Sequence, residues 1–158
     1  MANTSDERPS LNMLMRRSWD RPTERDWAAV LGALPLFSGL SKRQVRGLAK
    51  LARVEDHSPG EIIVQEGESG DSFFLVLEGD ARVLGKSRNL RPGDFFGEMA
   101  LLDGGPRSTT ISAKTRVRTM KLPRRSFLKA LKQDPQISLK IMEVLAQRVR
   151  RLERGSPG

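Results

Sequence analysis

The chain has 158 residues, a formal net charge of +9 and no cysteine, a length that supports one domain with a buried core and a composition that excludes a disulfide framework, a thiolate nucleophile and a cysteine-bound zinc. No apolar run approaches the roughly 20 residues a membrane-spanning helix requires, and the opening "MANTSDERPS" has no apolar stretch of the signal-peptide kind. A soluble, cytoplasmic protein is expected. The excess charge is unevenly placed: residues 123–158 hold nine basic and three acidic side chains, whereas residues 1–34 hold five of each. "PRRSFLKALK" and "QRVRRLERG" read first as the solvated faces of two helices and second as a surface for an anionic partner. Six Phe, two Trp and no Tyr are too few aromatics for base-stacking platforms.

Residues 1–22 are polar, with Pro9 and Pro22, and read as a mobile arm. Residues 23–52 form a helical segment. In "TERDWAAVLGAL", Thr23 is a candidate N-cap and Trp27, Val30, Leu31 and Leu34 fall at helical spacing, with Pro35 as the stop. "SKRQVRGLAKL" repeats the pattern with Ser41 as N-cap and Val45, Leu48 and Leu51 on one face.

Between residues 53 and 122 the period changes to short β runs punctuated by glycine. "EIIVQE", "SFFLVLEG", "ARVLG", "STTISA" and "RVRTMKL" are separated by turn-forming stretches, in which Gly60, Gly67, Gly79 and Gly93 suit positive φ. Short strands this closely spaced predict a mainly β fold, an eight-stranded jelly-roll barrel, rather than βαβ units. From 123 to 154 the helical period returns. "RRSFLKALKQD" carries Phe127, Leu128 and Leu131, and Pro135 opens a second helix whose apolar stripe is Ile137, Ile141, Val144, Leu145, Val149 and Leu152. Residues 155–158 are a tail.

Within the loop 96–110, "FGEMALLDGGPRSTT" sets Glu98 and Arg107 around a turn holding Gly104, Gly105 and Pro106. Two readings are open for that pair: a surface ion pair worth under about 1 kcal/mol, or a clamp for a small ligand with an anionic end and a hydroxyl end. A metal-binding barrel would need several histidines, and His57 is the only one in the chain. No metal site is expected, and His57 reads as structural or exposed. A Ser/His/Asp triad would have to use that same histidine, and no nucleophile elbow surrounds any serine. A catalytic role is not expected.

Three stretches in order, "PGEIIVQEGESGDSFFLVLEGDARV", "LRPGDFFGEMALL" and "PRSTTISA", resemble the cyclic-nucleotide-binding domain family, the small sensor domain of catabolite-activator-type regulators, cyclic-nucleotide-dependent kinases and cyclic-nucleotide-gated channels. The resemblance runs from about Pro35 to Leu152, most of the chain, and "FGEMALL" followed closely by "PRS" is its most specific part. It implies a cyclic nucleotide as ligand. The chemistry fits: a guanidinium at Arg107 matches two exocyclic phosphate oxygens with planar paired donors, and a carboxylate at Glu98 accepts from a ribose 2′-hydroxyl. Backbone N–H groups at the start of a short helix, from Gly97 through Met99 and Ala100, complete a phosphate cage, with Gly97 and Ala100 small enough for close approach. Leu101, Leu102, Phe95 and Phe96 read as core, and "RPGDFF" as a turn into a buried strand.

By the same resemblance, Val83 supplies an apolar wall beside the purine, and Arg148 on the last helix faces the base with Leu152 one turn on. Arg148 has a second reading as a solvent-facing residue of a basic helix. Ser108 beside the phosphate arginine leans towards cyclic AMP, since the family often places threonine there for cyclic GMP. Thr109 departs from the family's usual alanine. The implied signal is a movement of the penultimate helix, through Phe127 and Leu131, that brings the last helix down as a lid.

Regulators of this superfamily that bind DNA carry a helix-turn-helix after the lid helix, and none follows here, so no direct DNA binding is expected and an effector protein is the expected partner. "RDWAAVLGALPLFSGLS" resembles the helical lead-in before such domains in bacterial channels and sensors. The expectation is a stand-alone sensor, ahead of a regulatory piece of a longer protein. The rival from another class is a ligand-independent module using its basic last helix.

Overall fold

The computed structural model describes residues 24–155; the polar arm, the Thr23 cap, the packing of Trp27 and residues 156–158 lie outside the described structure or side chains. Helix α1 (Glu24–Ala33) runs into a 3-10 turn at Pro35–Phe37, and α2 follows at Lys42–Ala49. The start of α2 is fixed by a reciprocal cap: Ser41 Oγ accepts from the Gln44 amide at 3.2 Å and the Gln44 side chain accepts from the Ser41 amide at 3.0 Å. This satisfies two amides that the first helical turn leaves without partners.

The β strands are β1 (Arg53–His57), β2 (Ile62–Val64), β3 (Ser72–Glu78), β4 (Ala81–Val83), β5 (Asn89–Leu90), β6 (Phe95–Phe96), β7 (Ile111–Ala113) and β8 (Val117–Pro123). They pair antiparallel in two four-stranded sheets, ordered β1-β8-β3-β6 and β2-β7-β4-β5. Successive strands alternate between the two sheets except at the β4–β5 hairpin, which is the jelly-roll arrangement. The expected mainly β, eight-stranded jelly roll is found; among the described residues no strand pair joins its two sheets, so the barrel is an open sandwich. Gly60, Gly67, Gly79 and Gly93 all adopt positive φ.

Strand β3 shows why the fold takes this form. Six of its residues, Ser72 to Leu77, are buried in succession, because both faces of its sheet are covered. Phe74 and Val76 pack towards the second sheet with Val64, Val83 and Ile111. Phe73, Leu75 and Leu77 pack on the other side with helix residues Leu48, Leu101 and Phe127. Fully burying each such side chain contributes roughly 1.5–3 kcal/mol, so the helices are part of the core.

After β6 comes α3 (Glu98–Asp103), and β8 leads into α4 (Arg124–Gln133) and α5 (Pro135–Gly155). Phe127 is fully buried and meets Phe37 at a ring-centroid distance of 6.2 Å. Of the apolar stripe expected on α5, Ile137 and Ile141 are buried, while Val149 and Leu152 are exposed. The first half of α5 is therefore fixed by the core and the second half is not. His57 is buried, not exposed: its ring bonds Thr119 Oγ1 at 3.0 Å and the Glu61 carboxylate, a structural role between β1 and β8. No helix among the described residues is long and apolar enough to cross a membrane.

Candidate functional site

Arg107 is buried, and three backbone bonds fix where its side chain starts. Its amide donates to Glu68 O at 2.7 Å, its carbonyl accepts from the Gly67 amide at 2.9 Å, and the Gly70 amide donates to Gly105 O at 2.9 Å. The loop before β3 thus pairs with residues 105–107 as a short bracket. The guanidinium donates from Nη2 to Ser72 O at 2.7 Å, lies 3.7 Å from Asp71 Oδ1 and sits 5.9 Å from the Phe74 ring centroid. Burial pushes its pKa down, while Asp71 and then Glu68 push it up. A guanidinium keeps its charge at neutral pH under such opposed influences, so the site holds a fixed, desolvated cation.

Gly97 makes that position available. It caps α3 in the left-handed region at φ 83°, and a Cβ there would lie 2.5 Å from Arg107 Nη1 and 2.6 Å from Ser72 O. Only glycine meets both demands. A Cβ on Gly70 would collide with Ala100 Cβ and the Gly105 carbonyl, so α3 rests directly on the backbone of the loop before β3. The amides of the first α3 turn have no partners within the helix, and the residues that carry them border the same space as Arg107.

That space is a cavity of about 510 Å³, with Gly97, Glu98, Met99 and Ala100 on one side and Arg107, Ser108 and Thr109 on another. Its apolar wall is Val64 and Ile111 together with Phe96. Val83 does not itself border this cavity but packs in the same cluster as Val64 and Ile111, which do. Its side chain is buried in the sandwich, where it stands opposite Ile111 in the β4–β7 pairing. The strand neighbour that does reach the cavity, Ile111, follows the motif "PRSTT" directly and was read only as part of a strand.

Glu98 and Arg107 do not pair with each other, so the surface ion pair is absent. Glu98 Oε1 instead accepts from Arg148 Nη1 at 2.9 Å. Its side chain is 13% exposed against 30% for Arg148. Arg148 is thus drawn onto the rim of the site rather than into solvent, and Leu152, 74% exposed, is not. Phe127 and Leu131 do not line the cavity; α4 reaches it through α3, where Arg124 Nη2 donates to Leu102 O at 3.1 Å. Asp71 and Ser72, which hold Arg107, carried no signal in the sequence because one acts through its carbonyl. Among the described residues no group of His, Asp or Glu is arranged to hold a metal.

A buried cation, the first turn of a helix, a carboxylate and apolar strand residues around one cavity can bind an anion joined to a hydroxyl-bearing ring and a flat apolar group. The comparisons with known proteins agree. Residues 54–134, half of the chain, match the family model described as the cyclic nucleotide-binding domain. The chain is 36% identical over 124 residues to a cAMP-dependent protein kinase regulatory subunit of Aspergillus fumigatus, covering 75% of this chain and 30% of that protein. It is 37% identical over 115 residues to a cyclic nucleotide-gated potassium channel of Mesorhizobium japonicum, covering 72% of this chain and 32% of the channel. The chain thus spans about a third of the length of these relatives. The solved N-terminal domain of a transcriptional regulator from Streptomyces coelicolor superposes with a TM-score of 0.71 at 26% identity, over 80% of this chain and 94% of that one. The chain belongs to the cyclic nucleotide-binding domain family.

Proposed function

We propose that this protein is a cyclic AMP sensor that signals to an effector protein through its two C-terminal helices. The observation that carries the reading is the buried Arg107 guanidinium, held by Ser72 O and Asp71 and facing a cavity of about 510 Å³ that Glu98 also lines. In this reading the cyclic phosphate lies between Arg107 and the first-turn amides of α3, with Gly97, Met99 and Ala100 close to it. Glu98 accepts from the ribose 2′-hydroxyl. Ser108 and Thr109 flank the phosphate, Val64 and Ile111 support the purine with Val83 beside them, and Arg148 closes the base side from α5. Cyclic AMP is preferred over cyclic GMP because serine stands at 108, and because relatives named for cAMP are among those matched.

The signal follows from how α3 is tied to the rest. Its carbonyl end is held by Arg124 of α4 and its first residue by Arg148 of α5, so a shift of α3 onto the phosphate changes both contacts. Phe127 and Leu131 are the packing points about which α4 repositions. Ligand favours the repositioned state only by its differential affinity for it.

Calorimetric titration with cyclic AMP and then cyclic GMP tests this, with Arg107→Ala in parallel. One-to-one binding with cyclic AMP tighter, lost in the variant while its circular dichroism is retained, is the expected result. Absence of heat and of any thermal shift with either nucleotide overturns it.

A further inference from the structure

A second concavity, an open groove of about 760 Å³, lies between α4, the end of β8 and the loop before β3, and shares no lining residue with the nucleotide cavity. Its charge is one-sided. Arg53, Lys121, Arg124, Arg125, Lys129 and Lys132 line it, against a single carboxylate, Asp71. That carboxylate already stands beside Arg107. Lys121 is 3.5 Å from Glu55 and lies over the Phe74 ring, and Arg124 is held on Leu102 O. Arg53, Arg125, Lys129 and Lys132 have no ion-pair partner among the described residues, and all four are exposed. Four unneutralised cations around one concavity repel one another, and an anionic occupant removes that cost.

We infer that this groove is a docking site for an extended acidic segment of a partner protein. Arg125, Leu128, Lys129 and Lys132 recur on one face of α4, at spacings of three and four residues. The cations at 125 and 132 therefore stand about 10 Å apart along the helix, with an apolar side chain between them. An extended peptide places alternate side chains roughly 7 Å apart on one face, so two or three carboxylates flanking one aliphatic residue match the row. A nucleic acid duplex matches it poorly. A duplex presents a convex backbone that needs a broad surface and has nothing to offer Leu128. The site rests on α4, not on the basic end of α5, and does not depend on which nucleotide fills the cavity.

The probe is a fluorescein-labelled peptide with glutamates at alternate positions around a central leucine, titrated into the full chain at low salt and followed by anisotropy. A glutamine counterpart and a labelled DNA duplex are run beside it. Wild type is expected to bind the glutamate peptide and to bind the glutamine form at least about tenfold more weakly. The triple variant Arg125→Glu, Lys129→Glu, Lys132→Glu is expected to lose at least about tenfold. The control triple Arg150→Glu, Arg151→Glu, Arg154→Glu on α5 stays within about twofold. Circular dichroism establishes that each variant is folded, and if the groove triple is not, the single change Lys129→Gln is expected to weaken binding by about threefold. Absence of peptide binding, equal binding of the glutamine form, an equal loss in the α5 triple, or a preference for the duplex that the groove triple abolishes each overturns the inference.

Discussion

Arg148 Nη1 donates to Glu98 Oε1 at 2.9 Å, tying the far half of α5 to the first residue of α3. Beyond Leu145, which packs partly against the core, α5 has little else to hold it. Val149 and Leu152 are exposed, whereas Ile137 and Ile141, two turns and more before it, are buried. Part-exposed ion pairs contribute under about 1 kcal/mol, which is enough to bias the outer turns of a helix but not its base. Arg148→Ala should therefore speed amide exchange over residues 146–155 by about fivefold in nucleotide-free protein, and leave residues 137–141 protected. Exchange by mass spectrometry checks this, and unchanged rates would show that the outer turns are held by other contacts.

Two glycines with similar backbone angles separate strain from collision. Gly97 has φ 83° and a Cβ there would meet Arg107 Nη1 and Ser72 O, whereas Gly85 has φ 80° and open space around it. Gly85→Ala should cost about 1 kcal/mol, the backbone term alone. Gly97→Ala should cost roughly 2–4 kcal/mol, since the guanidinium or β3 must also shift. It should also weaken nucleotide binding, which Gly85→Ala leaves intact. Urea unfolding and calorimetry read the two effects, and equal stability losses in both variants would contradict the packing at Gly97.

Charge alone is not what Arg107 supplies. Lysine keeps the cation but lacks the planar paired donors that can hold Ser72 O and two phosphate oxygens together. Arg107→Lys should retain the fold and weaken cyclic nucleotide binding by about tenfold to a hundredfold, the worth of one or two charge-assisted hydrogen bonds. Calorimetry with a matched ionic strength measures it. Wild-type affinity in the lysine variant would mean that the phosphate is held by α3 amides and a point charge.

The fold was readable where local pattern and tertiary burial agree. The run "SFFLVLE" is apolar because both faces of β3 are covered, and "VRTMKL" alternates because β8 carries Arg118 and Lys121 between buried residues. β1 was not singled out, because "RVEDH" is polar. It is a strand through its pairing with β8, where Asp56 meets Arg118 and His57 meets Thr119. The two-residue strand β5 had no pattern to read, whereas β6 is legible in "RPGDFF" as a turn into a strand, with Phe95 and Phe96 placed by Leu75 and Phe74 across the sheet. At the site, the loop carrying Gly97, Glu98 and Arg107 was readable because its glycines and charges are contiguous. The wall from Val64 and Ile111 was not, since strand order decides which aliphatic residues come together, and β7 lies between β2 and β4 so that Ile111 shares a face with both Val64 and Val83.

The β1–β8 edge also sets an acid limit on stability. Arg118 Nε donates to Asp56 Oδ1 at 2.9 Å, and that bond, outweighing the opposing effect of desolvation, holds the Asp56 carboxyl below its ordinary value. A carboxyl whose folded-state pKa is depressed gives up its proton more readily in the folded chain than in the unfolded one. Its contribution is therefore complete above the ordinary aspartate range, near about pH 4, and disappears as the pH falls through the lower folded value. Asp56 is at the surface, so solvent screens the pair and the effect is small. Asp56→Asn should lower the thermal midpoint slightly at neutral pH and converge on the wild type in acid, flattening that part of the curve. Midpoints measured from neutral pH down to about pH 3 test it in low and high salt. A variant curve that runs parallel to wild type throughout would show that the Asp56 charge does not contribute to holding β1 on β8.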